Sequence, residues 1–329
     1  MKERCGFTQV LVTRYSVRLD GKSVIRGRGK EWLFSDSRMS RRLVLFSNLT
    51  FPSIVKSSVT PDLYVVVIDK ELPGRYREQL ELLMKPYPWA IIHEWQSEDD
   101  WFKLEWVLRL MQDSAPNILI GQIDDDDALQ LGANERLRSA AQSCLAGGRH
   151  SLWTWFGSNN AWEWDLDTAH EGVGFLKPYS GGTTYWQGVG TSVLVPNDPQ
   201  SPTSYVWPHS VLEMVFEPFW KWHRTQFSRV LRMRLGLLKR LVINGHIRHI
   251  PSLLVKGWLV DVGTQFPSDV DMLISNSGTN LQTDRIERGR KARWSNGVIA
   301  ELERFGVTEE SAVAIGKVIR SAEVEEKNY

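Results

Sequence analysis

Asn117-Ile118-Leu119-Ile120-Gly121-Gln122-Ile123-Asp124-Asp125-Asp126-Asp127-Ala128-Leu129 is the stretch on which the fold turns. Its first part, Asn117 to Ile123, is mostly aliphatic, with three isoleucines and no polar alternation. That pattern fits a strand covered on both faces, as in a parallel sheet between helices. Four consecutive carboxylates follow at once. In open α/β sheets ligands gather at the carboxyl ends of strands, so acids placed there mark a candidate site. Four adjacent anions repel one another and are unfavourable unless water or a cation neutralises them.

The stretch closes a regular alternation. Thr8 to Arg14 is a short β-rich run, and Ser37 to Lys56 has helical spacing, with Leu43, Phe46, Leu49 and Ile54 as apolar points and Pro52 near its end. Leu63 to Ile68 (LYVVVI) is a second continuous β-branched run. Gly74 to Met84 predicts a helix, Trp89 to His93 a third strand, and Glu98 to Gln112 a helix with an acidic first turn that suits the macrodipole. Leu129 to Leu145 predicts a further helix, closed by Gly147-Gly148. The order β-α-β-α-β-α-β implies a doubly wound parallel sheet.

Beyond His150 the grain changes. Residues 150–195 are short, aromatic and Gly-rich segments, as in a mixed or antiparallel sheet. Pro196 to Pro202 is a loop, and Ser210 to Leu241 predicts helix, broken near Pro218. Gly257 to Gly263 predicts a last strand, Ser268 to Arg293 a polar loop, and Ser295 to Glu326 one or two helices.

Composition excludes several classes. Among 329 residues, 40 Lys and Arg balance 39 Asp and Glu, which argues against a bulk nucleic-acid binder. Hydrophobic content of 42% and charged content of 24% fit a folded chain rather than a disordered one. Cys5 and Cys144 are too few for a disulfide framework or a cysteine zinc site, and fit a reducing compartment. The N-terminus lacks the pattern of a signal peptide, and no apolar run reaches the ~18–20 residues of a membrane span. A cytoplasmic chain is expected, at most peripheral to the inner membrane face. The 15 tryptophans suit sugar stacking or core filling equally well.

Two readings of the acidic run stand side by side. Hard divalent cations take carboxylate oxygens and bridge to phosphate, so an Asp-x-Asp pair at a strand end would hold Mn²⁺ or Mg²⁺ against a diphosphate. Alternatively the acids form a solvated turn and a helix N-cap, with Asp127 beside the next helix.

In combination the motifs resemble nucleotide-sugar glycosyltransferases of the GT-A fold, and above all a bacterial family described as rhamnosyltransferases. The blocks are Val10 to Arg18, Arg41 to Phe46, Thr50 to Ile54, Val65 to Asp69 with Leu72-Pro73, and Ile123 to Leu129. They cover about residues 8–145, more weakly to 215. Where that family more often has Arg-Leu before its acids, this chain has Gln122-Ile123. The resemblance implies an α/β, GT-A-type doubly wound, mainly parallel sheet flanked by helices. Residues 1–215 would form the catalytic domain, with a nucleotide-sugar half (1–150) and an acceptor half (151–215), and 216–329 a mostly helical extension. Arg14 would lie by the nucleotide base or diphosphate. Asp69 would bond the base or ribose, and Asp124 and Asp126 would form the metal and ribose site, with Asp125 and Asp127 as close alternatives. The bland alternatives are a surface ion pair for Arg14 and a turn cap before Pro73 for Asp69.

Enzymes of this fold often add a late histidine to the metal. His209 is best placed, with His246 and His249 as rivals. An inverting reaction needs a carboxylate to deprotonate the acceptor hydroxyl, and Glu213, Asp198 and Glu171 are candidates. Glycines between Gly181 and Ser192 suit either a floor under a donor sugar or a hairpin. Trp153, Trp155, Trp162 and Trp164 form either a sugar platform or a core face, core being favoured. Trp186 and Trp207 remain candidates for glycan contact. Residues 221–248 carry eight Lys or Arg and no acid, which suits an anionic membrane surface, a lipid-diphosphate acceptor or plain solvation.

The expected function is a metal-dependent glycosyltransferase. It would move a sugar from a nucleotide-diphospho-sugar to a hydroxyl of a glycan or glycolipid, as in surface polysaccharide synthesis, with no nucleic-acid partner. The rivals are a non-catalytic carbohydrate-binding protein with a Ca²⁺-type acidic site, and a metal-dependent phosphotransfer or hydrolytic enzyme.

Overall fold

The computed structural model describes residues 6–17, 30–96, 99, 101, 103–147, 153–156, 160–165, 175–178, 192–201, 203, 262–265, 271–276 and 298–326. Among the described residues seven strands form the main sheet, in the order β10-β6-β9-β4-β1-β2-β3. They are β1 (Phe7–Tyr15), β2 (Leu63–Ile68), β3 (Ala90–Glu94), β4 (Asn117–Asp124), β6 (Trp153–Phe156), β9 (Ser192–Pro196) and β10 (Val262–Gln265). β9 alone runs against its neighbours β4 and β6, and every other pairing in the sheet is parallel. A second sheet has the order β5-β11-β7-β8, from Asp127–Leu129, Asp271–Asn276, Asn160–Asp165 and Phe175–Pro178. The α/β, mainly parallel architecture read from the alternation is therefore present.

The β-branched runs are buried on both sides, as their lack of polar alternation required. On one side Leu11, Tyr15, Tyr64, Val66 and Ile68 meet Phe46, Phe51 and Leu80. Those partners come from the helical segment 36–55 and from helix α4 (Gly74–Met84). On the other side Val10, Val12, Val65, Val67, Ile118 and Ile120 meet Trp101, Trp106 and Val107. The helical segment is α2 (Asp36–Leu45), a π turn (Phe46–Thr50) and α3 (Phe51–Val55). It follows α1 (Lys30–Leu33). The wide turn falls just before Pro52, which has no N–H to continue a regular ladder.

Several local expectations change. The helix expected over 98–112 reduces to α5 (Glu105–Leu108). Upstream of it, Asp99 is engaged by the Gln96 amide and His93 Nε2, and Trp95 stacks on Trp101 with ring centres 4.0 Å apart. Those contacts hold the chain off helical geometry. Asp127 caps no helix, since it opens strand β5, which pairs antiparallel with β11. Helix α6 (Ala133–Ala146) starts only after Gly132, whose φ of 88° is a left-handed conformation suited to glycine. β11 lies inside the stretch expected to be a polar loop, and its pairing with β5 and β7 makes it a strand.

Thus the region after 216 supplies two strands as well as helices α7 (Val298–Glu303) and α8 (Glu309–Glu326). Leu302, Phe305 and Ile315 pack on Leu45, Leu49, Ala128 and Trp164. Trp162, partly buried, packs against that cluster, so Trp164 lies in the core and Trp162 at its margin. Residues 221–248 lie outside the described residues.

β9 approaches β4 closely at Gly121, which pairs with Ser192. A Cβ at Gly121 would stand 2.5 Å from Ser192 Oγ and 3.3 Å from Leu11 Cδ1. Gly121→Ala should therefore cost about 1–3 kcal/mol of stability through overpacking. Adding Ser192→Ala should return most of that loss, as read by denaturant unfolding.

Candidate functional site

β1 and β4 are parallel neighbours and end together, so Arg14 stands opposite Asp124 in the register. Arg14 Nη2 donates to Asp124 Oδ1 at 3.2 Å. The two side chains are 33% and 38% exposed, which makes them the open face of the acidic run.

The next two carboxylates turn inward. Asp125 and Asp126 are each 4% exposed. Arg42 Nη1 donates to Asp125 Oδ1 at 2.9 Å and lies 2.7 Å from Asp126 Oδ2. Both contacts are ion pairs, so one nitrogen bridges two buried anions. Asp127 is buried in β5. The run is thus neither a fully solvated turn nor a cluster open to cations.

Arg42 comes from α2, whose Arg38, Arg41 and Arg42 are all buried. Arg38 Nη1 donates to Ser16 Oγ at 3.0 Å and to the Leu33 carbonyl at 2.9 Å. The guanidinium also lies over the Trp32 ring. Burial works against the charge on Arg42, but Asp125 and Asp126 more than offset it and hold the group firmly protonated. Burial, joined by the repulsion of Arg42, lowers Arg38 to about 10. Burial pushes the Asp125 carboxyl from 3.8 up to about 6, against the pull of Arg42, and it raises Asp126 as well. Burial and the nearby Asp125 charge keep the Tyr15 phenol protonated far above the usual range.

The other expected site residues are not gathered here alike. Asp69 follows β2, next to the end of β1, and is buried. Its Oδ1 accepts from the Glu71 amide at 2.9 Å, the turn-capping alternative. Asp198 stands at the wrong end of the sheet. It follows Pro196, which pairs with Asn117 at the start of β4, so the length of β4 (roughly 20 Å at ~3.3 Å per residue) separates it from Asp124. It is exposed and accepts from the Gln200 amide at 2.8 Å. A catalytic base there is out of reach of the acidic run. Glu213, Glu171, His209, His246, His249, Trp186 and Trp207 lie outside the described residues. So do the glycines between 181 and 190.

Among the described residues no group of three or more His, Cys, Asp or Glu is disposed to hold a metal. Nor is any described helix long and apolar enough to cross a membrane. The expected metal pair Asp124 and Asp126 is split: Asp126 faces Arg42, and Asp124 alone reaches the surface. A carbohydrate platform also loses one of its expected members, since Trp164 is buried.

Residues 9–168 match a family described as "Putative rhamnosyl transferase". The resemblance read from the sequence holds over that span, which includes Arg14, Arg42, Asp69 and the whole acidic run, and it supports a glycosyltransferase. No curated protein matches the chain. Among solved structures, a likeness is found to 4-diphosphocytidyl-2C-methyl-D-erythritol synthase from Anaerococcus prevotii DSM 20548. It has 10% identity and covers 58% of this chain and 70% of that one, with a TM-score of 0.27, too slight to build on.

Two stability predictions follow from the split run. Arg42→Ala leaves two buried carboxylates unpaired and should cost about 3–5 kcal/mol, whereas Asp124→Ala opens a half-exposed pair and should cost about 1 kcal/mol or less. Chemical unfolding distinguishes them. The raised Asp125 group favours the folded state below pH 3.8, and that contribution is lost as pH rises toward about 6. The difference in unfolding free energy between Asp125→Asn and wild type should therefore move in favour of the variant across that window. A pH-independent difference would assign the effect to another group.

Proposed function

We propose that the chain transfers a sugar from a nucleotide-diphospho-sugar to an acceptor hydroxyl, at the carboxyl ends of β1, β2 and β4. The observation that carries this reading is the Arg14–Asp124 pair, half-exposed at adjoining strand ends inside the span of the family match. A cation beside an anion suits a donor whose diphosphate is anionic and whose ribose offers hydroxyls: Arg14 would meet the diphosphate. Asp69, at the end of β2, would reach base or ribose only if its turn opens.

Metal dependence forms part of the proposal. The described residues offer no protein cage, but Mg²⁺ typically takes one or two carboxylates and completes its shell with phosphate oxygens and water. The half-exposed Asp124 fits that mode. Asp124 would hold Mn²⁺ or Mg²⁺, with His209 as a further candidate, and the ion would neutralise charge on the leaving diphosphate. Arg42 keeps Asp125 and Asp126 out of that shell and fixes the backbone from which Asp124 projects. The acceptor base is sought in Glu213 or Glu171.

Rhamnose as the donor sugar and a surface glycan or glycolipid as acceptor complete the reading, with a cytoplasmic chain touching the inner membrane face through 221–248. The tryptophans buried in the core weigh against the lectin-like rival.

Calorimetric titration with UDP, GDP and TDP, each with and without Mn²⁺, tests the reading. The expected result is tight binding of one nucleotide that needs the metal and is lost in Asp124→Ala while the fold is retained. If no nucleotide binds with Mn²⁺ present, the glycosyltransferase reading is wrong.

A further inference from the structure

Among the described residues Ser16 is the single non-glycine residue with positive φ, at 52°. This left-handed conformation is disfavoured for a side chain bearing a Cβ, and glycine would adopt it freely. Ser16 directly follows β1, two residues after Arg14, and is buried. Its hydroxyl accepts from Arg38 Nη1 at 3.0 Å. Residues kept in disfavoured backbone regions persist when their surroundings over-determine them, and they gather at functional sites.

Arg38 and Arg42 lie four positions apart on α2, and this spacing places them on one face of the helix. Arg38 reaches the turn after β1, and Arg42 reaches the turn after β4 through Asp125 and Asp126. The two turns flank the Arg14–Asp124 pair. α2 is itself anchored: Met39 and Leu45 are fully buried, and the Arg38 guanidinium is tied back to the Leu33 carbonyl.

We propose that Arg38 and Arg42 are positioning residues, forming a two-point clamp from one helix face onto both strand ends that carry the site. The clamp sets the spacing between Arg14 and Asp124, and the strained Ser16 is the anchor through which β1 is held. The Ser16 hydroxyl, rather than an easy backbone, is what the clamp requires. Its link to substrate rests on the glycosyltransferase reading; its mechanical part does not.

Ser16→Gly removes the anchor and relieves the backbone at once, so the melting midpoint should stay near that of wild type. Arg38→Lys keeps the charge and loses the fork, and serves as the second variant; if it does not fold, Ser16→Gly decides alone. Hydrogen exchange is followed in the free protein for peptides covering 14–17 and 123–127, and nucleotide affinity is measured with UDP, GDP and TDP in Mn²⁺. Faster exchange at both strand ends is expected, together with affinity weakened on the order of tenfold, the scale on which small misplacements act. Exchange at wild-type rates in the folded variants would overturn the clamp. So would faster exchange with affinity unchanged. If wild type binds none of the nucleotides, the transferase reading fails, and exchange alone decides the clamp.

Discussion

One guanidinium shared by two buried carboxylates governs this site. Arg42 Nη1 sits between Asp125 and Asp126 in a region that is closed to solvent. Taking three charges out of water is costly, and attraction repays it only where geometry is good. Here the geometry links helix α2 to the turn after β4, so the charge cluster and the sheet's carboxyl edge form together. With those two acids paired to Arg42, the backbone is left in place to project Asp124 outward beside Arg14. A run of four identical residues is thereby divided: Asp124 reaches solvent, Asp125 and Asp126 face an arginine, and Asp127 opens β5.

The same helix explains why the site sits where it does. α2 packs Met39 and Leu43 on one side of the main sheet while turning three arginines into the protein. The C-terminal helices then cover the π turn and β5 from outside. At the carboxyl edge Arg14 and Asp124, at the ends of β1 and β4, stay partly open beside the buried Asp125 and Asp126.

The parallel core was legible because strands buried on both faces need continuous apolar side chains, and Leu63 to Ile68 and Asn117 to Ile123 have no other use. The location of the site was legible for the same reason: acids that follow such a strand must stand at its end. Their orientation was not. A turn of four aspartates has no periodicity to say which face each one takes, and tertiary pairing decided it. Arg38, Arg41 and Arg42 were missed as site residues because arginine on an amphipathic helix normally marks the wet side. Arg41-Arg42 stood within a block of family resemblance, yet without a role. Asp127 misled as a cap because helix α6 begins later, at Ala133, and because β5 is a short strand whose partner is remote in sequence. Asp198 was placed by its sequence neighbourhood, and the antiparallel sense of β9 carried it to the far edge.

That remote partner sets an order of events. β5, which continues directly from the acidic run, pairs with β11, Met272 lying against Leu129. Contacts between residues so distant along the chain are slow to form and wait on loop closure. During synthesis the amino-terminal strands have their sheet neighbours early, while β5 has none until residues 271–276 have left the ribosome. Until then the edge of β5 is unpaired and open to pairing with another chain. The strand that covers this edge is thus made late, and protection of β5 from misassembly is acquired only then.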